Sequence, residues 1–313
     1  VAQFVIARIP LRRACYWTAG ITAVWAAWLG LGQSLAGEHA TGPPVTVAAV
    51  QVLPGVSAQS VPELFALTRQ AARRGAQLVV WHEETLFSYP AGFPARAIAG
   101  PPTLAFARRV ARANHIYLVS GMAAAGRNEA VTIDPSGQVL ESYEKQHPVT
   151  FMGERTPSTP VPVFTTPIGR VATIICYDLD FLDTAREAGR HGAGIVAVPS
   201  QDWGRIASLH YTHLVFRAVE NDLTMIKSDG GFDSAIIDPQ GRVLAHTTSS
   251  TPRPAVLVST VRPGTGSTLG QSLQPWFAPL ALLLGLVLYG LMLTTALSST
   301  GPRLREFSGR PAR

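Results

Sequence analysis

Between Pro44 and Arg262 the hydrophobic positions switch between two periods. Val45–Val50 (VTVAAV) is a continuous apolar run, the pattern of a strand buried on both faces. The segment VPELFALTRQAARRGA then spaces its apolar residues as a helix does, and QLVVW predicts another strand. PTLAFARRVARANH predicts a helix and IYLVSGM a strand. VATIICYD predicts a strand ending at Cys176, and FLDTAREAGRHG a helix ending at glycine. GIVAVP (strand), ASLHYTHLVFRAVEND (long helix) and TMIKS (strand) complete the alternation. Two segments resemble each other as hairpins, TIDPSGQVLESY (Thr132–Tyr143) and IIDPQGRVLAHT (Ile236–Thr247). Each carries Asp-Pro-x-Gly at its turn, where Pro fixes φ and Gly closes the bend. The alternation, with no long internal linker, predicts one α/β domain over residues 44–262.

Two uncharged stretches flank that domain, residues 14–37 and 263–302. The second holds WFAPLALLLGLVLYGLMLTTAL (276–297), and a run of about 20 apolar residues crosses the hydrocarbon core. A tryptophan at one end suits the membrane interface. A transmembrane helix is therefore expected over 276–297, after a juxtamembrane linker (263–275) and before a basic tail (298–313). The first stretch, 14–37, is read as a retained transmembrane helix, because it exceeds the usual signal-peptide core of about 7–15 residues. A signal-like segment is the alternative, since basic residues precede it and small ones follow.

The net charge of +6 sits at the two ends. Arg8, Arg12 and Arg13 lie in the basic segment 1–13, and Arg303, Arg305, Arg310 and Arg313 face only Glu306 in the tail. The rest sums to zero, so the middle offers no basic excess for phosphates and nucleic acid is excluded as a partner. Positive charge flanking both spans predicts cytoplasmic termini and an extracytoplasmic central domain.

Among 26 basic side chains only Lys145 and Lys227 are lysines. A lysine in an arginine background invites a role that needs a compact ammonium. Cys15 lies in the first apolar run, so Cys176 is expected to be unpaired, either a reactive thiol or a packed strand residue. Glu83 and Glu84 follow a strand, and in extended chain they point to opposite faces. His210 and His213, three apart on a helix, could suit a metal or simply pack, and no third ligand is evident. GTGSTLG after Arg262 lacks the strand and lysine of a phosphate loop, and no Gly-x-Ser-x-Gly is present.

Taken together, these residues resemble the nitrilase (carbon–nitrogen hydrolase) superfamily, in particular its membrane branch around apolipoprotein N-acyltransferase. Trp81-His82-Glu83 is similar to that branch's Trp-Pro-Glu. Tyr143-Glu144-Lys145-Gln146-His147, running on to Phe151 and Glu154, is similar to its Tyr-Asp-Lys-x-His segment. Ile175-Cys176-Tyr177-Asp178 resembles Ile-Cys-Tyr-Glu, and Arg217-Ala218-Val219-Glu220-Asn221 its Arg-Ala-x-Glu-Asn helix. Gly231-Phe232-Asp233-Ser234 followed by Asp238 to Gly241 approximates a Gly-x-Ser strand and turn. The chain departs at His82, Pro148, Thr150, Met152 and Asp178, and in the shortened loop Ser200-Gln201-Asp202-Trp203-Gly204.

The resemblance implies an α-β-β-α sandwich flanked by transmembrane helices, in a bacterial-type inner membrane. It makes Cys176 the nucleophile, Glu83 the general base and Lys145 the electrostatic partner, with Glu154 orienting the lysine and the Tyr177 backbone N–H assisting. No metal or organic cofactor is implied. Membrane phospholipid is the expected acyl donor and a lipoprotein amino terminus the acceptor, through a thioester. A tethered amidase acting on small amides is the first alternative. A catalytically silent domain that binds lipid or a partner is the second. The resembled branch carries several helices before its catalytic domain where this chain offers one. The chain therefore reads as a truncated fragment or a reduced relative.

Overall fold

The computed structural model describes residues 11–35, 42–53, 60–88, 103–124, 127–149, 157, 159–248 and 251–299. The chain divides into two compact units, Val1–Ser267 and Thr268–Arg313.

The first unit contains helix α1 (Leu11–Leu35) and a two-sheet body. One sheet is built from β1 (Val45–Gln51), β2 (Leu78–Trp81), β3 (Leu86–Ser88), β4 (Tyr117–Ala124), β5 (Arg127–Ile133), β6 (Val139–Glu144) and β13 (Ala255–Val261). Its order is β13-β1-β2-β4-β5-β6, with β3 beside β4. The other sheet runs β12-β11-β10-β9-β8-β7. Its strands are β7 (Val163–Thr166), β8 (Gly169–Thr173), β9 (Ile195–Pro199), β10 (Thr224–Ser228), β11 (Ala235–Ile237) and β12 (Val243–His246). Helices α2 (Ser60–Arg73) and α3 (Leu104–Asn114) cover the first sheet, and α4 (Leu182–Arg190) and α5 (Ala207–Asn221) the second.

The unbroken apolar runs follow from this layering. Val47, Ala49, Leu78 and Val80 meet Ile195, Ala197 and Ile226 between the sheets. Their neighbours Ala48, Val50, Val79 and Trp81 face outward onto Leu64, Ala71, Ala107 and Val110. On the far side Val196, Val198 and Met225 pack on Ala185, Ala188, Leu214 and Ala218. With both faces of central strands such as β2, β9 and β10 buried, period 2 disappears from their sequence. Trp81 is fully buried and donates its indole N–H to Thr68 Oγ1 at 2.9 Å, tying α2 to β2.

Both hairpin expectations match the structure. Asp134 Oδ1 accepts from the backbone N–H groups of Ser136 and Gln138, and Asp238 Oδ1 from those of Gln240 and Arg242. The closing Gly137 and Gly241 have φ of 83° and 78°, which favour glycine. One boundary differs. The strand expected to end at Cys176 stops at Thr173, because the Asp178 carboxylate captures the Ile175 N–H and turns the chain into a 3₁₀ turn, Cys176–Asp180.

The second unit contains α6 (Leu269–Ser299), which starts inside the stretch read as a linker. Among the described residues one helix is long and apolar enough to cross a membrane, Leu269–Thr294, with its apolar side chains exposed. Helix α1 lies over most of the first uncharged stretch.

Candidate active site

Three chain segments bring the expected residues together. Glu83 lies two residues beyond β2, Lys145 directly follows β6, and Cys176 opens the 3₁₀ turn after β8. The two sheets are joined here by the Glu83 N–H, which donates to the Ser200 carbonyl at 3.3 Å. Gly121 of β4 makes room for this turn, since a Cβ there would lie 2.5 Å from Glu83 Cα. Glu84 takes φ of 52°, so the two glutamates are not in the extended relation expected of them.

Lys145 Nζ donates to Glu83 Oε1 at 2.8 Å, and both side chains are buried. Asn128 Nδ2 donates to the same oxygen at 2.6 Å. Cys176 is buried and holds a left-handed φ of 42°, a conformation that costs a non-glycine residue roughly 1–3 kcal/mol and gathers at functional sites. Burial pushes its thiol well above the ordinary range, the Glu83 and Asp202 carboxylates push it further, and Lys145 offsets part of the rise.

Asp178 ties the lysine segment to the nucleophile turn. Its Oδ2 accepts from the Tyr143 hydroxyl at 2.7 Å and from the Ile175 N–H at 2.9 Å, while Oδ1 accepts from the His147 N–H at 2.9 Å. Burial raises its carboxyl to about 6 against these hydrogen bonds. Tyr177 is partly exposed and meets Phe181 edge-on at 5.3 Å. Glu154 lies outside the described residues.

A second ionic group underlies Cys176, and sequence reasoning missed its extent. Lys227 Nζ donates to Asp202 Oδ2 at 2.7 Å, to Asp229 Oδ2 at 2.9 Å and to the Asp233 carbonyl at 3.0 Å. Asp202 Oδ1 receives Ser200 Oγ at 2.9 Å, His210 Nδ1 at 2.6 Å and the Cys176 thiol at 3.5 Å. Burial alone would raise the Asp202 carboxyl, yet Lys227 and His210 hold it well below the usual carboxylate range. Burial raises Asp229 to about 6, with Lys227 pulling the other way. The rarity of lysine pointed to Lys227, but its carboxylate partners come from separate loops.

Among the described residues two sets of side chains could hold a metal ion, Cys176 with Asp202 and His210, and Asp180 with His210 and His213. The latter supplies the third ligand that the helical histidine pair lacked. Chemically, the central arrangement offers a thiol, a carboxylate to accept its proton and an ammonium to stabilise an oxyanion.

A sequence profile of the carbon-nitrogen hydrolase family matches residues 46–267. An (R)-stereoselective amidase of Pseudomonas sp. is 30% identical over 187 residues, covering 53% of this chain and 67% of that protein. An apolipoprotein N-acyltransferase of Geobacter metallireducens is 27% identical over 166 residues, covering 45% of this chain and 31% of that protein. Among solved structures, an amidase from Nesterenkonia sp. superposes with a TM-score of 0.61 at 22% identity, over 77% of this chain and all of its own. That likeness establishes the shared two-sheet fold.

Proposed function

The chain belongs to the carbon–nitrogen hydrolase (nitrilase) superfamily of enzymes, and on that premise we propose that it is a membrane-anchored acyltransferase working through a thioester on Cys176. The observation that carries the chemistry is the buried contact between Lys145 and Glu83 beside an unpaired buried cysteine. Glu83 takes the Cys176 proton as the sulfur attacks an acyl carbonyl. Lys145 and the Tyr177 N–H stabilise the tetrahedral oxyanion. The C–O bond of the donor ester breaks, and Glu83 returns the proton to the departing alkoxide. An incoming amine then loses its proton to Glu83 and attacks the thioester, and Cys176 leaves and is reprotonated.

Membrane phospholipid is the donor and a lipoprotein amino terminus the acceptor in this reading. The apolar helix Leu269–Thr294 and the N-acyltransferase relatives support it. The chain spans only 31% and 24% of those two relatives. Arginines outside both uncharged stretches favour cytoplasmic termini and an extracytoplasmic catalytic domain. A second reading, hydrolysis of small amides, is favoured by the amidase relative, of which the chain covers 67%. Incubation with phospholipid and a diacylated lipopeptide tests both. Triacylated peptide supports the transferase, whereas ammonia from small amides without peptide acylation overturns it in favour of the amidase.

A further inference from the structure

We propose that Asp180, His210 and His213 form a binding site for a divalent transition-metal ion of zinc type, behind the turn that carries Cys176. Residues three apart on a helix share a face, so α5 presents both imidazoles to the same side. Asp180, the last residue of the 3₁₀ turn, completes the set. Its Oδ1 lies 2.9 Å from His210 Nε2 and 2.9 Å from His213 Nδ1. All three ligand atoms lie within 4.8 Å of one another. Around a tetrahedral zinc ion with bonds of about 2.0–2.1 Å, neighbouring ligand atoms are about 3.3 Å apart. The two contacts to Asp180 therefore need only lengthen by a few tenths of an ångström, and the two imidazole nitrogens, within 4.8 Å of each other, adjust to the same spacing. The ion takes the place of the protons shared between the imidazoles and Asp180, and these leave to solvent.

An independent observation concerns the other face of His210. Its Nδ1 lies 2.6 Å from Asp202 Oδ1, and the second oxygen of Asp202 is held by Lys227 at 2.7 Å. Metal-binding histidines are characteristically oriented in this way, by a carboxylate on the nitrogen that does not bind the ion. The contact leaves Nε2 directed at Asp180.

The alternative set, Cys176 with Asp202 and His210, is less suited. The Asp202 side chain is fully buried and already saturated by Lys227, whose ammonium would repel a divalent ion. The Asp180 and His213 side chains, by contrast, are 29% and 26% exposed, which leaves an entry path and a position for a water ligand.

The test uses the full chain in detergent with Cys15→Ser, titrated with Zn²⁺ by calorimetry and with Co²⁺ by absorption. One ion per chain is expected, with the visible bands of tetrahedral Co²⁺ and no sulfur charge-transfer band. Cys176→Ala should keep this uptake, whereas Asp180→Asn and His213→Gln should each weaken it at least tenfold. Thermal melts of the apo proteins confirm folding, and either of these two part-exposed positions decides the matter if the other variant misfolds. Uptake that disappears in Cys176→Ala, uptake unchanged in both Asp180→Asn and His213→Gln, or none by the parent overturns the proposal.

Discussion

The Cys176 thiol donates to Asp202 Oδ1 at 3.5 Å, so the nucleophile of the proposed reaction rests against a carboxylate other than its proposed base. Asp202 is kept ionised by Lys227 and His210 and is too weak a base to take the proton. In the proposed reaction it holds the sulfur protonated and oriented until Glu83 takes the proton.

The reactivity of Cys176 should therefore climb steeply with pH. The thiol titrates above its ordinary value because burial, then Glu83 and Asp202, disfavour the thiolate. Removing a neighbouring negative charge favours the thiolate, so Asp202→Asn and Glu83→Gln should each move the alkylation midpoint to lower pH. Lys145→Met should move it higher. Iodoacetamide rates on a Cys15→Ser background measure this, and an upward shift in Asp202→Asn refutes the account.

Cys176→Ala should abolish acyl-enzyme formation, as read by mass spectrometry of the intact protein. Lys145→Arg should fail although it keeps the charge, because the planar guanidinium cannot occupy the buried ammonium position. Losing one oxyanion donor typically costs on the order of a hundred- to thousandfold in rate. Glu83→Gln should be comparably impaired and Glu84→Gln much less so. The reverse order for the two glutamates would move the base.

Gly121→Ala places a methyl group 2.5 Å from Glu83 Cα, where only backbone can give way. Stability should fall by about 1–3 kcal/mol, the usual range for overpacking. Turnover should fall further than stability explains, because the displaced residue is the proposed base. Urea denaturation and steady-state rates measured together separate the two effects.

Lys227→Met should be severely destabilising, since it leaves Asp202 and Asp229 buried without their cation. Breaking a buried ion pair typically costs about 3–5 kcal/mol. A urea midpoint within error of the parent would show that the two carboxylates find other compensation.

Topology can be read from one added thiol. Glu141 is exposed on β6, and Glu141→Cys with Cys15→Ser should react in intact cells with a maleimide that cannot cross the membrane. Labelling only after cell lysis would reverse the proposed orientation.

The layers and the main residues of the candidate site are legible because each leaves a local trace. Strands buried on both faces leave continuous apolar runs, and Glu83, Lys145 and Cys176 each sit in a short motif. What stayed hidden depends on distant partners. Asn128 reaches Glu83 across 45 positions, and Cys176 meets Asp202 across 26. The apolar run before Cys176 extends past its strand because Ile174 and Ile175 are fully buried beyond the end of the ladder. An apolar run records burial, and says nothing of where pairing stops. The left-handed backbone at Glu84 had no signal either, since it lacks the glycine or asparagine that usually marks one.

The high proton affinity of Cys176 has a kinetic counterpart. A sulfur that holds its proton tightly is also a reluctant leaving group. Once acylated, it loses its ionisable proton, and the neighbouring carboxylates no longer face an incipient negative charge. The covalent intermediate should therefore be long-lived, released slowly until an acceptor arrives by diffusion and outcompetes water. The site would then act as a timer as much as a catalyst. A chase of isolated acyl-enzyme in buffer alone checks this: its decay should be slow, and faster when Asp202→Asn lowers the thiol's proton affinity.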